Sequence, residues 1–165
     1  MALANLTATL SEPGQVREIV ERGLKPPAVK FPNNPDIQLQ LAMALFNLSN
    51  KVVEPEQARR IIDGELRPLA ADFAGDPRIQ RQLAKALVNL TIEVGEPKQA
   101  WQIFAHDLAP LVARFPQWLE NGGPFGAPRA LSSRNPRIVP DLAGDGLRSW
   151  VESVQVFVAW GSWGT

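Results

Sequence analysis

Three asparagines recur at a constant spacing, and their side-chain amides are the groups best placed to do chemistry. Asn5, Asn47 and Asn89 are 42 residues apart, and each is followed two positions later by Thr or Ser. That tripeptide is the N-glycosylation acceptor pattern, which requires a secreted chain and an accessible loop. An amide also offers a donor and an acceptor to the backbone of another polypeptide. A third role is local, because the amide can bond carbonyl groups at its own helix end or bridge to an adjacent helix.

The other reactive side chains form no catalytic or metal-binding pattern. The chain has one histidine, His106, and no cysteine or tyrosine. His106 lacks the partner that a general base needs, so we expect it at the surface or in packing. Asp141 and Asp145 are the best-spaced carboxylates, but the surrounding glycines favour a turn. Trp101 is expected on an outer helix face, as an exposed contact or a packing residue. We expect no enzymatic activity, no cofactor, no metal and no small-molecule substrate.

The composition narrows the class of partner further. Of 165 residues, 45% are hydrophobic and 21% are charged, which is typical of a folded protein. The 17 basic and 17 acidic residues balance, and the basic ones are scattered, so we expect neither nucleic acid nor a membrane as a partner. The segment MALANLTATLSEPG lacks the pattern of a secretory signal. We therefore expect a location in the cytoplasm or the nucleus, which disfavours glycosylation.

The 42-residue spacing extends to many positions besides the asparagines, and this defines a sequence repeat. The further positions that keep their residue type in three successive copies are Pro13, Pro55 and Pro97; Ile19, Ile61 and Ile103; Leu24, Leu66 and Leu108; Pro26, Pro68 and Pro110; and Phe31, Phe73 and Phe115. The period predicts three helical pieces in each unit.

Prolines and N-capping residues predict where these helices begin. The first piece opens at Pro13, Pro55 or Pro97, because proline at the first helical position loses no hydrogen bond. The second, as in LRPLAADF, begins near a proline and ends on a phenylalanine. The third is long, and Asn34 and Asp76 are its expected N-caps. Its apolar stripe is formed by Ile37, Leu41, Ala44, Leu45 and Leu48, and by Ile79, Leu83, Ala86, Leu87 and Leu90.

A second face of the long helix is polar and carries the asparagines. At about 100° per residue it collects Asp36, Gln40, Met43 and Asn47, and in the next unit Arg78, Gln82, Lys85 and Asn89. A unit of two short helices and one long helix cannot enclose its own core. The units are therefore predicted to stack into an all-α solenoid.

The segments NPDIQLQLAMALFNLSN and DPRIQRQLAKALVNLT resemble the third helix of armadillo repeats, and RIIDGELRPLAADF resembles that family's first-to-second helix junction. The resemblance covers residues 1–116: a partial unit 1–9, units of about 10–51 and 52–93, and a partial unit 94–116. It implies a right-handed solenoid whose third helices line a concave groove for protein recognition. In peptide-binding members, a ladder of asparagines holds an extended peptide by its backbone. Asn5, Asn47 and Asn89 match the ladder.

The sequence departs from the importin-alpha pattern at the position four residues before each ladder asparagine. The tryptophan expected there is Met1, Met43 or Lys85, which puts binding of nuclear-import cargo in doubt. The expected function is a non-catalytic scaffold that binds a protein or extended peptide in the third-helix groove. Asn47 and Asn89 are the main expected contacts, and Asn5 matches the same position. Side-chain preference would be tuned by Gln40, Met43, Gln82 and Lys85.

Two alternatives stay open for the repeats. The first is an armadillo-type regulator that grips a folded small GTPase through surface charges such as Arg78 and Lys85. The second is a structural fragment of a longer array.

The pattern stops after Phe115, and we expect an irregular tail over residues 117–165, rich in Pro, Gly and Trp. An apolar segment that includes Trp150 and Phe157 fits a helix or a strand equally well. It would cover the open end of the repeats, or else the tail carries no evolved structure.

Overall fold

The structure, a computed structural model, describes residues 2–94, 96–115 and 118, and every regular element within these ranges is helical. The expected all-α class is confirmed for this part of the chain. The chain divides into two compact parts, residues 1–90 and residues 91–165. The predictions for Met1, for Asp141 and Asp145, and for the segment around Trp150 and Phe157 lie outside the described residues.

The helices follow the order that the repeat predicts. One helix precedes the first full unit, α1 (Ala2–Thr9). Three repeats follow, and each begins with a short first helix and a short second helix. These pairs are α2 (Pro13–Glu18) with α3 (Lys25–Lys30), α5 (Pro55–Ile61) with α6 (Arg67–Asp72), and α8 (Pro97–Ile103) with α9 (Ala109–Arg114). The long third helices are α4 (Pro35–Ser49) and α7 (Pro77–Glu93).

Both predicted N-caps of the third helices are confirmed. The Asn34 Oδ1 accepts hydrogen bonds from the backbone N–H groups of Asp36 at 3.1 Å and Ile37 at 3.2 Å. One period later, the Asp76 Oδ1 accepts from the backbone N–H of Arg78 at 2.9 Å. These side chains satisfy amides that have no partner within the helix, which fixes where α4 and α7 begin.

The junction between first and second helices is a π-helical turn in all three units, which the sequence did not predict. These turns are Ile19–Leu24, Ile62–Leu66 and Phe104–Leu108. Each ends just before a residue that precedes a repeated proline. In the second unit, the N–H of Arg67 donates to the carbonyl of Ile62, five residues back, and the other two units do the same. A proline ring clashes with the carbonyl four residues before it, and the wider π turn accommodates that residue.

The core is built from the predicted apolar stripe of the third helices and from the first helices that pack on it. In α4, Leu45 and Leu48 are 1% exposed, and in α7, Ile79 and Leu87 are 0% and 1% exposed. The first helices and π turns add Val16, Val20, Ala58, Ile61, Ile62 and Leu66. Ile37 departs from the predicted stripe, because it is partly exposed. Burial of each full leucine or isoleucine side chain stabilises the fold by about 1.5–3 kcal/mol.

Two buried glutamines, one period apart, tie each third helix to the second helix before it. Gln38 donates from its amide to the carbonyl of Ala28 at 2.9 Å and to that of Phe31 at 3.3 Å. Gln80 makes the equivalent bonds to the carbonyls of Ala70 and Phe73. The acceptors lie at the C-terminal ends of α3 and α6, where carbonyls lack partners within the helix. Each glutamine therefore caps one helix from another.

A charge cluster links helices α2 and α3 of one repeat to the π turn of the next repeat. The Arg17 Nη1 lies 2.6 Å from the Glu65 Oε1, and the Lys25 Nζ lies 2.8 Å from the Glu65 Oε2. Burial raises the pKa of the Glu65 carboxyl, but the hydrogen bonds and charges of these two cations outweigh it, so the pKa lies below the ordinary value. The ion pairs therefore stabilise the contact between units while Glu65 is ionised.

No helix among the described residues combines the length and the apolar character needed to cross a bilayer.

Candidate functional site

The third helices α4 and α7 lie side by side, as three contacts along their lengths show. Near their starts, the Arg78 Nη1 is 2.9 Å from the Asp36 Oδ1, one period away. Further along, the Lys85 Nζ lies over the Phe46 ring, 5.7 Å from its centroid. Near their ends, the Asn89 Nδ2 donates to the Asn50 Oδ1 at 2.7 Å. Equivalent helices of successive units are therefore neighbours from first turn to last.

The short helix α1 packs against α4 in the same manner. The Asn47 Nδ2 donates to the Thr7 Oγ1 at 2.9 Å and makes a longer contact of 3.4 Å with the carbonyl of Ala4. The Lys51 Nζ donates to the carbonyl of Ala8 at 3.3 Å. Three successive third helices, α1, α4 and α7, are thus adjacent in the order of the chain.

The polar residues predicted for binding lie on the solvent-accessible part of these helices. We call this set the third-helix face: Asn5, Gln40, Met43, Asn47, Arg78, Gln82, Lys85 and Asn89. Asn5 and Arg78 are exposed and the others are half-buried. The face is open enough to be contacted, and it is too polar to be part of the core.

Both central asparagines use their amide nitrogens within the protein. Asn47 and Asn89 each bridge to the preceding third helix, as described above. Within the described part of the chain, neither Oδ1 atom accepts a hydrogen bond. The bridging role weighed from the sequence is therefore present, and it leaves one acceptor on each asparagine for another molecule. Asn5, on α1, makes no side-chain hydrogen bond to any described residue.

The hydroxyl residue of the acceptor-like tripeptide has a structural role. The Thr7 Oγ1 donates to the carbonyl of Ala4 at 2.6 Å, and the Ser49 Oγ donates to that of Phe46 at 2.8 Å. Such bonds to the preceding turn are common for Ser and Thr in helices. Thr7 also accepts the bond from Asn47, so the tripeptide of one unit contacts that of the next. For its first two copies, the Asn-x-Ser/Thr pattern is therefore explained by contact between neighbouring helices.

Lys85 is the cation of the third-helix face that forms no ion pair with a described carboxylate. It is half-buried, and no described Asp or Glu lies within ion-pair distance of its Nζ. Desolvation, with a smaller contribution from the charge of Arg81, lowers the pKa of the Lys85 ammonium. The Phe46 ring faces the ammonium and compensates part of this cost. A carboxylate or carbonyl oxygen from another molecule would compensate the rest.

Arg78 is, in contrast, already paired with two carboxylates. Its guanidinium contacts Asp36 at 2.9 Å and Asp76 at 2.8 Å. The hydrogen bond to Asp76, and then that to Asp36, raises the pKa of Arg78 above its usual range. Since both acids compete with any incoming group, Arg78 is less available to a ligand than Lys85.

The remaining predicted residues line the same face without strong internal bonds. Gln82 makes only a 3.4 Å contact from its Nε2 to the carbonyl of Arg78. Gln40 and Met43 are half-buried on α4. Trp101 and His106 lie in the part of the chain after residue 90. The Trp101 side chain is 55% exposed, and His106 is also exposed. The exposed contact weighed for Trp101 is therefore consistent with its position.

The cavities among the described residues include two that lie away from the central asparagines. One of about 200 Å³ is lined by Arg17, Val52, Gln57, Arg60, Ile61 and Glu65. A more open one of about 540 Å³ lies along residues 30–36. Among the described residues, no group of three or more His, Cys, Asp or Glu is placed to hold a metal ion. The third-helix face is a surface, which suits an extended polypeptide better than a small molecule.

Comparison of the chain with models of protein families, with curated proteins and with solved structures found no match.

The partner residues of the asparagines were missed by the sequence analysis. Thr7 carried a signal, since a hydroxyl residue follows each asparagine at the same distance. Asn50 carried none, because the residues one period away from it are Ala8 and Ile92. Gln38 and Gln80 did carry the 42-residue signal and were overlooked.

Proposed function

We propose that this protein is a non-catalytic scaffold whose stacked armadillo-type repeats bind an extended polypeptide along the third-helix face. The observation that carries the proposal is the side-by-side arrangement of α1, α4 and α7. It brings Asn47 and Asn89, which occupy equivalent positions, onto neighbouring helices with one amide oxygen of each unused by described residues. In this proposal the stack is a right-handed solenoid and the face is its concave side.

The spacing of the helices suits a backbone ligand. Packed helices lie about 8–10 Å apart, and an extended chain advances about 3.3 Å per residue. Neighbouring asparagines would therefore meet every second or third residue of the ligand. The free Oδ1 atoms accept backbone N–H groups. Such contacts do not depend on the ligand's sequence, so they supply register and affinity but little selectivity.

Selectivity would come from the side chains beside the ladder. Lys85 lies one helical turn before Asn89 and offers an ammonium whose charge no described carboxylate compensates. Gln40 and Gln82 offer further amides, and Met43 offers an adaptable apolar contact. We therefore expect the ligand to carry an acidic or carbonyl-bearing side chain where it passes Lys85.

The test begins with selection of binding peptides from a random 12-residue display library on the full 165-residue chain. A selected peptide is then labelled, and its affinity is measured by fluorescence anisotropy. Replacement of both Asn47 and Asn89 by Ala removes two contacts worth about 0.5–1.5 kcal/mol each. Together these contacts contribute about 1–3 kcal/mol, so we expect an affinity that is weaker by about 5- to 150-fold.

A matched control uses two other amides at the same spacing. Gln57 and Gln99 are exposed on the first helices α5 and α8, one period apart, and they bond only carboxylates three residues away. The Gln57→Ala, Gln99→Ala double variant is expected to bind with unchanged affinity. If the asparagine variant also binds unchanged, or if no peptide is enriched over the background, the proposal is wrong.

The proposed regulator of a folded GTPase predicts a different pattern. Binding would then depend on Arg78 and Lys85 and would be insensitive to the asparagines. Arg78→Ala and Lys85→Ala, measured beside the asparagine double variant, distinguish the two modes.

A further inference from the structure

The cavity of about 200 Å³ lies between the first helices of the first two repeats, and no residue of the third-helix face lines it. Its walls come from α2, from α5, from the π turn after α5 and from the segment between α4 and α5. Ile61 is 3% exposed and Val52 is half-buried, whereas Gln57 and Arg60 are exposed. The cavity therefore combines an apolar wall with polar groups that solvent can reach.

The charges on one side of the cavity balance one another. The Glu65 carboxylate contacts Arg17 and Lys25, as described above. The same two cations lie 3.4 Å and 2.8 Å from the Glu21 Oε1. Two acids thus face two bases, and this group leaves no surplus charge.

Arg60 carries the charge of the cavity that is not balanced. Among the residues that the structure describes, its guanidinium makes no ion pair and no hydrogen bond. Asp63, three residues later, is paired with Arg59 and Arg67. Glu56, one turn earlier, forms no ion pair with Arg60. The cation therefore stands beside the cavity without a counter-charge.

The repeat pattern does not account for Arg60. The equivalent residues are Glu18 one period earlier and Gln102 one period later. In the first repeat, Glu18 pairs with Arg22 at 2.6 Å, and the residue equivalent to Arg22 is Gly64. A Cβ atom at Gly64 would meet no neighbouring side chain within 4 Å. A departure from the repeat with no compensating contact is typical of a functional position.

We propose that this cavity binds a carboxylate on a short aliphatic stem. The Arg60 guanidinium presents parallel N–H groups that match the two oxygens of a carboxylate. The Gln57 Nε2 donates to the Glu54 Oε2 at 2.7 Å, and its second N–H is available to the ligand. Val52 and Ile61 cover the stem, because apolar groups on both sides are then removed from water.

The size and charge of the cavity narrow the ligand further. Its volume equals that of about six or seven water molecules of roughly 30 Å³ each. This suits an acid of three or four carbons, whereas sites for larger ligands such as cofactors usually occupy about 300–1,000 Å³. A cationic ligand is disfavoured, since Arg17 and Arg60 both line the cavity. A free small acid and the glutamate side chain of another polypeptide share the required chemistry.

The first probe is butyrate, titrated at constant ionic strength into the full chain labelled with ¹⁵N. We expect the side-chain N–H signals of Arg60 and Gln57 to shift with a dissociation constant on the order of 1–10 mM. Butyramide has nearly the same shape and no charge. It should bind at least about tenfold more weakly, because it lacks the carboxylate that pairs with the guanidinium.

Matched variants test the two halves of the cavity, with the affinity read from the Gln57 signals. Arg60→Gln should weaken butyrate binding at least about tenfold. Arg22→Gln, which removes an exposed arginine that pairs with Glu18, should leave it unchanged. Val52→Ser should weaken it about threefold. The neighbouring Val53→Ser, at a residue that is 93% exposed and outside the cavity, should have no effect.

A glutamate with both its backbone ends blocked as amides distinguishes the two sources of the carboxylate. It binds at least as tightly as butyrate if the occupant is a polypeptide side chain, and far more weakly if the cavity takes a free acid. The assignment fails if neither acid shifts the signals at about 50 mM, or if inorganic phosphate binds where butyrate does not. Equal weakening by Arg60→Gln and Arg22→Gln, with helix content unchanged in circular dichroism, would overturn it as well.

Discussion

Replacement of Gln80 by Glu is the sharpest probe of how the third helices are held. Gln80 is 3% exposed, and its amide donates to the carbonyls of Ala70 and Phe73 at the end of α6. A glutamate has nearly the same shape. When ionised, however, it has no proton to donate, and it places a negative oxygen against two carbonyl oxygens.

The expected cost follows from the two lost bonds. The Phe73 carbonyl keeps the N–H of Asp76 at 3.0 Å, so the main cost is the lost bond to the buried Ala70 carbonyl. A buried acceptor that loses its partner costs about 1–3 kcal/mol, and Gln80→Glu should lower the free energy of unfolding by about that amount at pH 7. Burial raises the pKa of the new carboxyl above its unfolded value of about 4.3. An acid whose pKa is higher in the folded protein than in the unfolded chain favours folding at pH values below its unfolded pKa. This contribution to stability is lost as the pH rises through its folded pKa. The deficit relative to the original protein should therefore shrink between pH 7 and about pH 4.

Urea denaturation followed by circular dichroism, with both proteins measured at each pH, tests this expectation. Gln38→Glu, one period earlier, should behave in the same way. Gln82→Glu is the matched control on the same helix, because Gln82 is half-buried and makes only a 3.4 Å contact. It should change stability by less than about 0.5 kcal/mol. A deficit for Gln80→Glu below about 0.5 kcal/mol at pH 7, or one equally large at pH 4, would refute the capping role of this side chain.

Three further changes test the packing and the charges of the described repeats. Leu66→Ala removes a side chain that is 0% exposed, so we expect a loss of about 2–5 kcal/mol in urea denaturation, against almost none for the exposed Val53→Ala. Glu65→Gln should cost about 1–2 kcal/mol at pH 7. Because the folded pKa of Glu65 lies below the ordinary 4.5, this cost should be fully present above that pH and vanish as pH falls through the folded pKa; a cost independent of pH would contradict the ion pairs. Asp36→Asn should leave the urea denaturation midpoint unchanged, because the pair is exposed and Arg78 keeps its second carboxylate.

Much of the helical architecture could be predicted because each sequence signal for a helix boundary or a buried position recurs at the 42-residue period. A single proline or asparagine is a weak boundary marker. Pro13 and Pro55, each at the first position of a helix, and Asn34 and Asp76 as caps, are stronger because they coincide one period apart. The apolar stripe of the third helices was predicted for the same reason.

The features that the sequence did not predict depend on distances between elements. A π turn differs from an α turn by one residue, and Pro26, Pro68 and Pro110 show only that the α pattern is interrupted. A glutamine is ordinarily a surface residue, so the burial of Gln38 and Gln80 becomes apparent only when α3 and α6 are seen against the third helices. The same applies to the bond between Asn89 and Asn50.

The central claim is that a polypeptide bonds the asparagines of the third-helix face, and the most direct measurement is the nuclear magnetic resonance spectrum of their side-chain amides. A selected peptide would be titrated into the protein labelled with ¹⁵N-asparagine. The Asn47 and Asn89 NH₂ signals should shift with the same apparent affinity as the anisotropy measurement, while Asn34, committed to capping α4, should not. Peptide binding that leaves the Asn47 and Asn89 signals in place would contradict the account.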